Sequence, residues 1–272
     1  MIANTGLNYT YENTKIRTPL FLAACCGPVK AINVLLDYGA RTQYFGTNTT
    51  PAHAAAAHGD VACMQAFVRP GFDINSRGAQ ESTLLHHATL GGIKMMKYIL
   101  QLDGGTDLVN ARNRIGLTPL HCISKKAGNL NYWRSQVELL LEHGADIYAR
   151  DDGYYTPAHT FAYWGDSECL QVLIDAGFDL HTRGKCGQTI LHCASWFREV
   201  MVAYLLGLSK GMEIIDDEDD HGITALDYAS LAWVREVEEV LLSHNARRKS
   251  SDATQALGPA TSCCDDIYPI GG

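Results

Sequence analysis

No two of the nine cysteines in this 272-residue chain form a CxxC pair, and nine is an odd number. That excludes both a disulfide scaffold and a zinc ribbon. A basic excess is missing too: 22 Lys and Arg stand against 30 Asp and Glu, a formal charge of −8. Binders of duplex DNA or anionic membranes displace counterions with such an excess, so neither nucleic acid nor membrane is an expected partner. No apolar run approaches the roughly 20 residues of a membrane span. The opening MIANTGLNYTYENTK lacks a basic stretch leading into an apolar one, so no secretory signal is expected. The cysteines then read as reduced thiols of the cytosol or nucleus. The strings GxGxxG, GxxxxGK(S/T) and HExxH do not occur, which removes three common catalytic signatures. What is plentiful is apolar residues, 46% against 19% charged, the balance of a folded chain.

A hexapeptide recurs through that folded part: TPLFLA (18–23), TPAHAA (50–55), TLLHHA (83–88), TPLHCI (118–123), TPAHTF (156–161), TILHCA (189–194) and TALDYA (224–229). Its threonines are 32, 33, 35, 38, 33 and 35 residues apart. A second signal follows most of them at a nearly constant offset, an apolar stretch closed by Gly or Asn. It reads VLLDYGA (34–40), FVRPGFD (67–73), LLLEHGAD (139–146), VLIDAGFD (172–179) and VLLSHNA (240–246). Thr-Pro is a helix start, because the hydroxyl caps free N–H groups and Pro suits the first helical position. The helix after it is small on one face (Ala23-Ala24, Ala54 to Ala57), allowing close stacking. The next helix carries a bulky stripe such as Val137, Leu140 and Leu141. Gly39, Gly71, Gly144, Gly177 and Asn245 mark its end, where a left-handed cap is expected. One such unit cannot bury its own apolar face, so stacking must make the core.

Two motifs locked to one period near 33 residues closely resemble the ankyrin repeat, over about residues 13–247. The resemblance implies an all-α repeat solenoid of helix–turn–helix units with β-hairpin fingers. Seven repeats are expected, at about 13–45, 46–77, 78–112, 113–150, 151–183, 184–218 and 219–247. A 1–12 extension precedes them and a flexible 248–272 tail follows. It also implies that His53, His86, His121, His159 and His192 are structural, each tying a finger to its helix. The first repeat departs from the pattern at Ile16 and Phe21, as a capping repeat would. The fourth carries an insertion, GNLNYWRS (128–135).

Strings that suggest chemistry mostly fail on context. GLSKG (207–211) matches a nucleophile elbow, yet it follows a helical stripe and precedes an acidic loop. The acidic run 216–220 has Tyr228 where a calcium loop counted from Asp217 needs its twelfth-position Glu. No metal and no cofactor are expected. The family places finger residues, and first-helix residues after the hexapeptide, on a concave groove. In repeats five and six those positions read Tyr154, Tyr155, Tyr163, Trp164, Trp196 and Phe197; in repeats one and two they read Cys25-Cys26 and Ala57-His58. Aromatics are only 9% of the chain, so the cluster is an enrichment, and exposed aromatics on one face mark recognition sites. Arg112, Arg150, Arg183 and Lys185 flank it on the fingers, placed to pair with carboxylates.

The reading is therefore a non-enzymatic binding module that captures a protein or peptide partner in an aromatic groove of repeats four to six. Its groove residues are expected to lie outside the stacked core. The alternative is an atypical enzyme or binder of a small apolar molecule in the same groove. Tyr155, His181, Asp152 or Asp166 would then handle protons.

Overall fold

Each first helix of a pair opens at a threonine. Thr18, Thr50, Thr83, Thr118, Thr156, Thr189 and Thr224 stand in extended backbone directly before α1 (Pro19–Cys26), α3 (Pro51–His58), α5 (Leu84–Gly91), α7 (Pro119–Cys122), α9 (Pro157–Trp164), α11 (Ile190–Ala194) and α13 (Ala225–Leu231). The second helices are α2 (Val29–Asp37), α4 (Val61–Phe67), α6 (Ile93–Leu100), α8 (Trp133–Glu142), α10 (Ser167–Asp175), α12 (Glu199–Leu206) and α14 (Arg235–Ser243). This computed structural model describes residues 18–42, 49–123 and 133–248. The expected 1–12 extension, Ile16, residues 128–132 of the insertion and the tail from 249 onward lie outside the described residues.

The described residues fall into two units, 18–146 with α1 to α8 and 147–248 with α9 to α14. In the first, α1 packs on α3, α3 on α5 and α5 on α7, while α2, α4, α6 and α8 form a second row. Leu20, Ile32, Met64, Leu84, Met96, Leu120 and Leu140 are fully buried between the rows. In the second, α9 packs on α11, α11 on α13 and α12 on α14, around Phe161, Leu170, Leu173, Leu191, Val202 and Leu226. Close approach of first helices depends on small side chains. Ala54, Ala55 and Ala56 are buried on α3, and a Cβ on Gly59 or Gly91 would collide with backbone of the neighbouring repeat.

The second helices end as their sequence signal implies. Gly177 takes φ +93° after α10, and Asn245, next most tolerant of that conformation, takes φ +64° after α14. The fingers differ from expectation. No strand occurs among the described residues; one isolated antiparallel bridge joins Glu218 and Thr224. Each described finger is a tight turn held by two backbone bonds: Gly78 N–H to Ser82, Asn113 to Leu117, Asp151 to Tyr155, Gly184 to Gln188 and Asp219 to Ile223 at 2.7–3.0 Å, each with a return bond to the first residue's carbonyl.

Candidate functional site

The hexapeptide histidines are structural ties, and their geometry assigns their protons. Nδ1 lies 2.7–2.9 Å from the Thr hydroxyl three residues earlier in all five repeats. In four of them Nδ1 also accepts the threonine N–H. On the far side, Nε2 of His86, His159 and His192 meets the carbonyl of Leu117, Gln188 and Ile223, the residue just before the next repeat's threonine. A carbonyl can only accept, so Nε2 carries the hydrogen and Nδ1 is bare. The ring is neutral, and burial pushes His53 down to about 3, His86 to about 4 and His192 down as well. Asp227 replaces His in the last repeat and accepts from the Thr224 N–H and hydroxyl at 3.0 and 2.9 Å.

Tyr155 is not in the groove. It is 3% exposed, and its hydroxyl donates to Gln188 Oε1 at 2.7 Å. Gln188 Nε2 donates to the Tyr228 hydroxyl at 2.7 Å, which donates to Asp219 Oδ2 at 2.8 Å. Asp219 Oδ1 accepts from the N–H groups of His221 and Ile223 at the base of the last finger. This buried chain joins repeats five, six and seven. The residue directly before the hexapeptide threonine is buried in repeats five to seven, as Tyr155, Gln188 and Ile223, and half-buried in repeats two to four, as Thr49, Ser82 and Leu117.

The finger arginines are likewise committed to the protein. Arg150 Nη1 donates to the carbonyls of Tyr154 and Arg183, both at 2.8 Å. Arg183 Nη1 donates to the carbonyls of Gly187 and Glu218, and Nη2 to Asp217. Arg77 does the same in the first unit, toward Glu81 and Arg112 at 3.0 Å. Each brace bonds its own finger and the next one. Arg77, Arg112, Arg150 and Arg183 all stand six residues before a hexapeptide threonine, so the period contained this signal. Lys185 is half-buried in a helical turn of the sixth finger.

What faces outward is aromatic. Tyr163 and Trp164 end α9 half-buried, edge to face at 5.3 Å. Trp196 packs partly against the buried Ile223–Tyr228 cluster, 5.6 Å from the Tyr228 ring, so it belongs in part to the core. Phe197 tilts over Trp196 at 6.0 Å and is 56% exposed. Tyr154 is 64% exposed at its finger tip. Sequence reasoning missed Trp233, which is 93% exposed. It sits nine residues after Thr224, the position of Gly59, Gly92 and Gly165 in other repeats, and takes φ +57°. Tyr154 does the same elsewhere: it takes φ +64° where Gly116, Gly187 and Gly222 occupy other fingers. Aligning the repeats and looking for a bulky residue in a glycine column would have found both.

The acid–base candidates have separate partners. Asp166 is buried as the cap of α10, accepting from the Cys169 N–H. His181 is exposed and lies 3.2 Å from Glu213 and 3.7 Å from Asp217. Asp152 is exposed on the fifth finger, and Tyr155 is held by Gln188. Hollows of about 140, 430 and 180 Å³ are lined by residues between Leu36 and Cys122, all in the first unit. No group of three His, Cys, Asp or Glu able to hold a metal occurs among the described residues.

Seven helix pairs, stacked within each unit and each opened by a capping threonine, six of them with a histidine or aspartate three residues on, define a repeat scaffold. The chain belongs to the family described as Ankyrin repeats (3 copies), whose pattern matches at residues 2–78, 52–151, 85–183, 131–217 and 158–252. It is 28% identical over 182 residues to the transient receptor potential cation channel subfamily A member 1 homolog of Caenorhabditis elegans, covering 66% of this chain and 14% of the channel. It is 25% identical over 247 residues to the E3 ubiquitin-protein ligase KEG of Arabidopsis thaliana, covering 75% of this chain and 15% of the ligase. This chain thus spans about a seventh of the length of these relatives. Among solved structures, the ankyrin repeat domain of Bcl-3, a member of the IkappaB protein family, superposes with a TM-score of 0.61. Identity is 24%, over 84% of this chain and all of that domain. No described helix is long and apolar enough to cross a membrane.

Proposed function

We propose that the chain is a binding module that holds a protein or peptide partner against the aromatic face of its second unit. The observation that carries this reading is the run of outward aromatic residues in consecutive repeats: Tyr163 and Trp164, then Trp196 and Phe197, then Trp233. Large rings supply contact area at little cost in side-chain entropy, and such rings dominate interface energetics. The braced arginines stiffen the fingers beside this face, so the partner meets a surface already in shape, which limits the entropy lost on binding. Seven described cysteines are free thiols, which suits a reducing compartment such as cytosol or nucleus.

The test is selection of 12-residue peptides from a random display library on the full chain, followed by rebinding to variants. Phe197→Ala and Trp164→Ala should each weaken the selected peptides about 30-fold, equivalent to about 2 kcal/mol. Phe197→Ala should leave the urea midpoint unchanged, since its ring is largely exposed. Trp196→Ala should lose stability as well, because that ring packs on Tyr228. Peptides that bind both Phe197→Ala and Trp164→Ala as tightly as the parent would remove the assignment.

A further inference from the structure

The net charge of the chain is confined to one unit. Residues 147–248 hold eight Lys and Arg against seventeen Asp and Glu, a formal −9. The rest of the chain holds fourteen against thirteen, close to neutral. Within the second unit at least five of the eight cations are already engaged: Arg150 and Arg183 on finger carbonyls, Arg198 on the Tyr163 carbonyl, Arg247 on Asp216 and Arg248 on Glu238. The acidic side chains include exposed Asp152, Glu218 and Asp220 on the fingers, while Asp216 is taken up by Arg247. The base of the last finger is tied to two of the rings. Asp219, next to Asp220, bonds Tyr228, and Tyr228 carries Trp196, on which Phe197 lies. Leu231 packs on the same Ile223–Tyr228 cluster two residues before Trp233.

Tyr154 and Trp233 each take the positive-φ backbone that three other repeats give to glycine at the same position, a conformation that Glu81 also takes in the third finger. A bulky residue at positive φ is disfavoured, and such outliers persist mainly where something other than stability retains them. Trp233 and Tyr154 are also largely exposed, so packing among the described residues does not account for them.

The geometry points to a basic peptide segment as the partner of this face, with Lys and Arg side chains laid across Trp233, Phe197 and Tyr154 and their charged ends among the finger carboxylates. This inference rests on the proposed binding role and names its partner's chemistry. A ring face attracts a cation within about 6 Å, most strongly at Trp, and the methylene stems of Lys and Arg cover apolar rings while keeping the charge in water. The field of a unit at −9 draws in cationic segments and repels acidic ones and nucleic acid.

The experiment uses the full chain and three dye-labelled 12-residue peptides of equal leucine content. The remaining positions are Lys and Arg in one, Ser and Gln in the second, and Asp and Glu in the third. Anisotropy titration should show the basic peptide binding at least tenfold tighter than the neutral one, and weakening as salt is raised from 50 to 300 mM. Trp233→Gly and Tyr154→Gly should each weaken the basic peptide at least tenfold while unfolding at the same or higher urea concentration. Tyr38→Ala, which removes a 72% exposed ring from the first unit, should change nothing. Equal affinity for basic and neutral peptides, full binding by both glycine variants, or an equal loss in Tyr38→Ala would each overturn the inference. If the neutral peptide binds as well as the basic one and the glycine variants lose it, the aromatic face stands and the basic class falls. If no peptide binds, both fall.

Discussion

Gln188 shows how one buried side chain can organise three repeats. Its amide accepts from Tyr155 and donates to Tyr228, and it is almost wholly buried. Removing one partner strands the other without water, which costs about 1–3 kcal/mol per unsatisfied group. Tyr155→Phe and Gln188→Leu should each lower the unfolding free energy by that amount in urea titration. The double variant should lose less than the sum of the two, because it removes both ends of one bond. Strict additivity would show that the two side chains act independently. Trp233 and Tyr154 are the opposite case at this scale, each held about 1–2 kcal/mol above a glycine by its left-handed backbone. That balance is why their glycine variants separate binding from stability.

Among the elements, the capped threonine helix is the repeated part, and it makes the fold sensitive to acid. Burial holds His53 near 3 and His86 and His87 near 4 in the folded chain, against 6.5 in the unfolded one. As pH falls below 6.5 the unfolded chain takes up protons that the folded chain refuses. Stability therefore drops by about 1.4 kcal/mol per pH unit for each such histidine, until the folded values near 4 and 3 are reached. Urea midpoints should accordingly fall between pH 7.5 and pH 5. His87 stacks edge-on against the His53 ring at 5.0 Å and holds no threonine cap. His87→Phe should keep that packing and flatten the pH dependence; an unchanged slope would mean that His87 is not among the groups that refuse the proton. The finger braces belong to this scale too, since each arginine serves its own finger and the next.

At the scale of the whole chain, the core is distributed, and no single layer holds it. Leu140 on α8 and Leu173 on α10 are both fully buried, one in each unit. Leu140→Ala and Leu173→Ala should each cost about 2–5 kcal/mol through lost transfer energy and the cavity left behind. In a stack where each repeat contacts only its neighbours, the loss is local first. Hydrogen exchange on Leu173→Ala should show lost protection concentrated in α9 to α12. Uniform loss across α1 to α14 would contradict a nearest-neighbour stack.

The period of the hexapeptide, by itself, determined the helix pairs, their threonine caps, the structural histidines and the glycine ends. The caps and glycine ends depend on residues within one repeat, where local hydrogen bonding and backbone preference act. Each histidine bonds its own threonine there and reaches the next repeat only through Nε2. The aromatic enrichment of repeats five and six was legible for the same reason, as a departure from the period. Only the tertiary structure decided which of those rings face outward. Tyr155 and Tyr154 are adjacent, and the turn into the stack sends one to Gln188 and the other to solvent. Arg150 and Arg183 look like free rim charges until the next finger's carbonyl arrives from more than thirty residues away. Trp233 was hidden because its meaning lies in the glycine column it interrupts and in its exposure. The first is a comparison between repeats, and the second depends on what the surrounding helices leave uncovered.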